Sequence, residues 1–140
     1  IVQVVLVDTI GELVKFYQLA TVAVVGGTFV PVGGHNPLEP AYFAVPTVLG
    51  PYTSNVQDIV ALFAEHEALL QVNSQSELYT QLSRLLSDVA LRQEIGERLR
   101  LAILSNTGAT QSYVELIFDH LEKENNATNQ SQKYLLESGV

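Results

Sequence analysis

The residues best suited to chemistry lie in one glycine- and proline-rich stretch, residues 26–40. Five of the nine glycines lie between positions 26 and 50, and all five prolines lie between positions 31 and 51. Two Gly-Gly pairs follow an apolar segment and precede a helix signal, and glycine lets backbone N–H groups approach a ligand closely. Open α/β sheets bind ligands at such a place, the carboxyl end of a strand. The stretch therefore predicts a binding site for an anion such as a phosphate.

The polar groups of this stretch suit different parts of a ligand. Residues 1–83 contain one basic side chain, Lys15, so backbone amides at Gly33 and Gly34, the end of the following helix and His35 would have to hold a phosphate. Glu39 has the wrong charge for that role and suits hydrogen bonds from ribose hydroxyls. Structural roles stay open: Gly-Gly pairs also mark turns, Glu39 can be a capping-box partner, and a lone histidine is often structural.

Composition excludes several other kinds of site. The chain has no cysteine, which rules out disulfides, thiolate zinc sites and cysteine nucleophiles. Its three histidines lack metal-ligand spacing, and no Walker A, G-x-G-x-x-G, G-x-S-x-G or D-x-D motif is present. A net charge of −8 and a pI of about 4.6 argue against a nucleic-acid binder. No apolar run approaches the roughly 20 residues that span a bilayer, and the first residues lack secretory-signal features.

The elements that must position the stretch alternate between strand and helix. The pattern predicts strands over 1–7, 21–25, 45–49 and 68–72, and helices over 12–20, from Pro37, from Ser54 to 64, 74–87, 89–105 and 109–122. Asn36 and Ser54 are expected to cap their helices, and Ser74 with Glu77 reads as a capping box. Buried strands alternating with helices predict an α/β fold, a Rossmann-like parallel sheet with helices on both faces.

Length and end composition predict one domain over residues 1–122 and a flexible tail over 123–140. The polar run EKENNATNQSQ begins that tail. The chain opens on a strand signal without an initiator Met, which predicts a domain from a larger protein.

Residues 26–41, GGTFVPVGGHNPLEPA, resemble the signature of the bacterial Kdo (3-deoxy-D-manno-octulosonic acid) transferases. Residues 8–13, DTIGEL, residues 45–53, VPTVLGPYT, and residues 106–109, NTGA, are similar to further segments of that family. The resemblance covers about residues 5–120.

The resemblance implies a fold and an activity. The chain would be the C-terminal, donor-binding half of a glycosyltransferase with two Rossmann-like domains, the GT-B architecture. The donor would be CMP-Kdo and the acceptor the lipid A precursor of lipopolysaccharide biosynthesis. Transfer would invert the anomeric centre without a metal or another cofactor. No catalytic residue would lie in this chain, because the family's base is a Glu of the N-terminal acceptor domain. The full-length protein would attach to the cytoplasmic face of the inner membrane, whereas this part alone would be soluble.

The resemblance also implies which residues bind the donor. Two loop residues, Thr9 and Ile10, would offer backbone contacts to the cytosine. The remaining donor-binding positions are Gly26, Gly27, Thr28, Gly33, Gly34, His35, Asn36, Glu39 and Asn55.

Two other functions stay open. One is the half of a different nucleotide-sugar transferase or epimerase. The run HNPLEP at residues 35–40 argues against this function. The other is a non-catalytic α/β module that binds a nucleotide or a protein, which a lack of nucleotide binding would favour.

Overall fold

The computed structural model describes residues 4–9 and 11–106, and all their elements belong to one compact unit, residues 1–105. A single turn of 3-10 helix, Gly26–Thr28, follows the first strand. The strands and α-helices, in chain order, are α1 (Leu13–Tyr17), β1 (Ala23–Val24), α2 (Leu38–Tyr42), β2 (Thr47–Leu49), α3 (Gln57–Glu65), β3 (Leu70–Gln71), α4 (Gln75–Ser87) and α5 (Val89–Ser105).

The three strands form a parallel sheet in the order β1-β2-β3. Ala23 pairs with Thr47, and Val48 pairs with Leu70. The central strand β2 is entirely buried, as expected for a strand between helices and sheet neighbours. The core also contains the buried side chains of Phe63 of α3, Leu85 of α4 and Leu99 of α5. The predicted α/β class with a parallel sheet is confirmed.

The observed start of α4 agrees with the prediction from the sequence, whereas the observed start of α3 differs from it. At α4, Ser74 Oγ accepts a hydrogen bond from the N–H of Glu77 at 3.2 Å, which confirms the Ser74 half of the capping box. The Glu77 carboxylate accepts from the N–H of Asn73 at 2.8 Å, one residue before Ser74. At α3 the prediction for Ser54 is wrong. The helix begins at Gln57 behind Val56, which supplies no side-chain cap. The intervening residues make a turn closed by the bond from Val56 N–H to Thr53 O.

The predicted strand over residues 1–7 is wrong for the part that the structure describes. Residues 4–7 belong to no strand, and Val4, Val5 and Leu6 are 84%, 70% and 87% exposed. Their β-branched character favours strand, but a strand needs a ladder partner. Residues 4–7 pair with none of the three described strands, although β1 lies at an edge of the sheet. Residues 1–3, the predicted helix over 109–122 and the predicted tail over 123–140 lie outside the described residues.

Candidate functional site

The segment that we call the glycine loop, residues 31–36, joins the 3-10 turn to α2. Gly33 and Gly34 have φ angles of +93° and +90°, a region that side chains with a Cβ rarely adopt. Both residues are buried. A Cβ at Gly34 would lie 3.1 Å from both Thr28 Cγ2 and the carbonyl oxygen of Tyr52. The fold therefore requires glycine here for backbone conformation and for space.

The glycine loop presents unpaired backbone donors. Among the hydrogen bonds of residues 4–9 and 11–106, none is donated by the backbone N–H of Gly33, Gly34, His35 or Asn36. Gly33 and Gly34 are buried, and buried N–H groups in folded proteins are almost always paired. Four successive N–H groups without an acceptor in this part of the chain are thus available to an acceptor from outside, and an anion is the ligand that such donors suit.

The start of α2 places Glu39 beside the glycine loop. Asn36 Oδ1 accepts a hydrogen bond from the N–H of Leu38, the first residue of α2, at 3.0 Å. The cap position itself is occupied by Pro37, which has no side-chain cap, so Asn36 lies one residue before the predicted position. Pro37 and Pro40 are fully buried and fix the path of this short helix. Because α2 has only five residues, we attribute anion attraction to the N–H groups of the loop rather than to a helix dipole.

A cavity of about 570 Å³ opens between α1, β1 and the end of the glycine loop. Its apolar wall comes from α1 and β1, and its polar end combines His35, Asn36 and Glu39. Glu39 and Asn36 are half-buried, and His35 is exposed. The cavity is lined by Leu13, Phe16, Tyr17, Ala20, Val22, Ala23, Val24, Val25, Gly26, His35, Asn36 and Glu39.

Tyr17 is a site residue that the sequence reasoning missed. It lines the cavity together with Glu39. Burial raises the pKa of the Tyr17 hydroxyl, and the negative charge of Glu39 raises that pKa further. In the sequence, Tyr17 belongs to the apolar stripe of a helix with Leu13 and Phe16. The one available signal was that tyrosine carries a polar group on an aromatic body.

Thr28 supports the site from beneath. Its side chain is fully buried. Its Oγ donates to Val25 O at 2.6 Å and accepts from the N–H of Gly50 at 2.6 Å. Its carbonyl oxygen accepts from Tyr52 N–H at 2.9 Å. Thr28 therefore ties the end of β1 to the end of β2 and to the turn that follows, and its side chain does not face the cavity.

Asn55 lies against the outer side of the glycine loop. Its backbone N–H donates to Gly33 O at 2.8 Å, and its Nδ2 donates to Val32 O at 3.1 Å. A Cβ at Gly33 would collide with the side-chain amide of Asn55. The structure thus brings Asn55 to the carbonyl groups of the loop. The contact between Asn55 and the donor that the resemblance implies stays a prediction.

Of the remaining predicted donor-binding residues, some lie at the cavity and others do not. Gly26 lines the cavity, and Gly27 lies under His35, where an added Cβ would meet the ring at 2.5 Å. Thr9 is exposed, does not line the cavity, and donates its hydroxyl to the carboxylate of Glu12. Ile10 lies outside the described residues.

Two further properties bear on the kind of site. In the part of the chain that the structure describes, no group of three His, Asp or Glu side chains could hold a metal ion. No described helix is long and apolar enough to span a membrane.

A parallel α/β sheet with a glycine loop at the carboxyl end of a strand is the arrangement of many nucleotide-binding domains. No family model matches the chain. It is 36% identical over 122 residues to the 3-deoxy-D-manno-octulosonic acid transferase of Haemophilus influenzae, which covers 86% of this chain and 29% of the relative. It is 44% identical over 84 residues to the enzyme of the same description from Aquifex aeolicus, covering 60% of this chain and 24% of the relative.

A solved structure agrees with these relatives. The crystal structure of the C-terminal CMP-Kdo binding domain of WaaA from Acinetobacter baumannii superposes with a TM-score of 0.65 at 33% identity. The match covers 69% of this chain and 51% of the other. The chain is therefore a homologue of the Kdo transferases, and it spans less than a third of the curated relatives' length. The resemblance seen in the glycine-rich stretch is confirmed.

Proposed function

We propose that this chain is the donor-binding part of an enzyme that transfers Kdo from CMP-Kdo to a lipid A precursor in lipopolysaccharide biosynthesis. The observation that carries the proposal is the glycine loop, whose four N–H groups find no acceptor in the described residues and lie at the carboxyl end of β1. The names of the homologues, and of the CMP-Kdo binding domain with the same fold, specify the ligand class.

The glycine loop would bind the phosphate of CMP. When the bond between Kdo and that phosphate breaks, negative charge grows on the phosphate oxygens. N–H groups already held in place stabilise that charge without reorganisation, which lowers the barrier of the transfer. Glu39, half-buried at the polar end of the cavity, would accept hydrogen bonds from the ribose hydroxyls.

The acceptor chemistry would belong to another part of the protein. As the family resemblance implies, a second domain would position the acceptor hydroxyl, and a Glu of that domain would remove its proton as the anomeric centre inverts. We propose that the reaction needs no metal, and that the full-length protein attaches to the cytoplasmic face of the inner membrane. The 140-residue chain would then bind CMP and transfer nothing.

An NMR titration of the chain with CMP, with UMP as the control, tests the proposal. We expect amide shifts at Gly33, Gly34 and Asn36 and tighter binding of CMP than of UMP. Glu39→Ala should weaken CMP binding about tenfold, the effect of losing hydrogen bonds to a charged group. Glu65→Ala, at an exposed residue of α3, should leave it unchanged.

Two outcomes would contradict the proposal. Tighter binding of UMP than of CMP would favour another nucleotide-sugar enzyme of the same architecture. Absence of binding by either nucleotide, in this chain and in a protein that also contains the acceptor domain, would favour a module without this ligand.

A further inference from the structure

We propose that Asn55 is a positioning residue, which holds the glycine loop so that the N–H groups of Gly33 and Gly34 face the ligand, and which does not itself contact the nucleotide. This inference rests on the proposed function of the loop as a phosphate site. It reassigns a residue that the family resemblance places among the donor contacts.

Two hydrogen bonds from Asn55 hold two successive carbonyl groups of the glycine loop. The backbone N–H of Asn55 donates to Gly33 O at 2.8 Å, and Nδ2 donates to Val32 O at 3.1 Å. The side-chain amide lies so close to Gly33 that any Cβ there would collide with it.

The geometry of the peptide bond turns these two contacts into a constraint on the donors. A trans peptide unit is planar, so its C=O and its N–H point in opposite directions, and the structure has no cis peptide bond among the described residues. Val32 O shares its peptide plane with the N–H of Gly33, and Gly33 O shares its plane with the N–H of Gly34. When Asn55 holds both carbonyls on its own side, both N–H groups point away from it.

The same geometry separates Asn55 from the ligand. An anion bound by the N–H groups of Gly33 and Gly34 lies on the opposite side of the backbone from the Asn55 amide. Nδ2 is already engaged with Val32 O, so the side chain acts on the loop.

The glycine loop needs such a constraint because of its composition. Glycine has more backbone freedom than any other residue, and two glycines at positive φ follow one another. Without an external tie, the two peptide planes can rotate and the N–H groups lose their common direction. A loop fixed before binding avoids that entropy cost when the ligand arrives.

Substitution of Asn55 can test this role without unfolding the protein. Asn55 is exposed, and its turn is anchored independently by the bond from Tyr52 N–H to Thr28 O and by the buried Val56. Asn55→Ala removes the bond to Val32 O and keeps the backbone bond to Gly33 O. Asn73→Ala, at an exposed asparagine before α4, is the matched control.

The experiment combines backbone 15N relaxation of the free chain with titrations of CMP and of cytidine. In Asn55→Ala we expect the order parameter of Gly33, whose N–H shares its peptide plane with Val32 O, to fall from about 0.85 toward 0.6. The order parameter of Gly34 should fall less, because its peptide plane keeps the bond from the Asn55 backbone N–H to Gly33 O. The affinity for CMP should fall about tenfold, whereas the affinity for cytidine, which lacks the phosphate, and the melting temperature should not change. Asn73→Ala should match the wild type in all four measurements.

Other results would overturn the positioning role. Weaker CMP binding with unchanged order parameters, or an equal loss for cytidine and CMP, would show direct contact between Asn55 and the nucleotide. Unchanged CMP affinity despite a mobile loop would show that loop order does not matter. If the wild-type chain binds no CMP, the proposed function fails, and the order parameters still decide whether Asn55 holds the loop.

Discussion

At the scale of single residues, Thr28 shows how a small polar side chain can organise a ligand-binding region without facing it. One hydroxyl links Val25 O to the N–H of Gly50. It is fully buried, where a polar group is tolerated only when its hydrogen bonds are made. The carboxyl ends of β1 and β2 are joined through this side chain, and the glycine loop packs against its methyl group.

We expect Thr28→Val to lower the free energy of unfolding by about 1–3 kcal/mol, because the volume is kept while the buried N–H of Gly50 loses its acceptor. Thr80→Val, at an exposed residue of α4, should change stability by less than about 0.5 kcal/mol. Urea titrations of both variants measure the difference. Equal effects would mean that the Thr28 hydroxyl has no special role.

The raised pKa of Tyr17 leads to a prediction for alkaline pH. A phenol whose pKa is higher in the folded than in the unfolded state stabilises the fold fully below its unfolded pKa of about 10. That stability is lost as the pH rises through the folded pKa. Tyr17→Phe should therefore lose less stability between about pH 9 and pH 11 than the wild type, as measured by urea denaturation at each pH. Parallel profiles would contradict this.

At the scale of elements, the contact between α5 and the end of α2 depends on one glycine. A Cβ at Gly96, in the middle of α5, would collide with the carbonyl oxygen of Ala44. Ala44 has a φ of +56°, so its backbone is already in an uncommon conformation. The close approach of α5 to the backbone that leads from α2 into β2 is possible because Gly96 has no side chain.

Gly96→Ala therefore sets helix propensity against packing. In an exposed helix this change would stabilise by up to about 1 kcal/mol, but here we expect destabilisation by roughly 1–3 kcal/mol from overpacking against rigid backbone. Ser83→Ala on exposed α4 is the control and should be neutral or slightly stabilising. A gain of stability in Gly96→Ala would refute the close packing.

At the scale of the whole molecule, the negative net charge affects how the proposed site would bind a phosphate. The chain carries a net charge of −8 and has one basic side chain in its first 83 residues. A phosphate would thus be bound by neutral N–H groups in a protein whose net charge is negative, as is the charge of the phosphate. Salt screens long-range repulsion between like charges, while short hydrogen bonds in a buried loop are screened much less.

We accordingly expect the affinity for CMP to stay constant or to rise modestly between about 50 and 300 mM NaCl. Calorimetric titrations of the 140-residue chain at several salt concentrations measure this. A steep fall in affinity with salt would indicate that basic side chains bind the phosphate, and would contradict the assignment to the glycine loop.

The sequence alone was enough to predict most helices and the class of fold. Helix α5 begins and ends where the periodicity places it, and Ser74 caps α4 as expected, because helix signals are local along the chain. The position of the glycine loop between β1 and α2 was predictable for the same reason, since strand, glycines, cap and proline follow one another in the sequence.

Only the tertiary structure decided which residues meet. Strand formation depends on a partner, so the apolar pattern of residues 4–7 did not suffice to place them in the sheet. The contact of Asn55 with Val32 spans 23 positions, and Thr28 and Gly50 are 22 apart. Nothing local in a sequence records such distances. The residue types of the site therefore follow from the sequence, whereas the division between residues that face the cavity and residues that hold the loop follows from long-range packing.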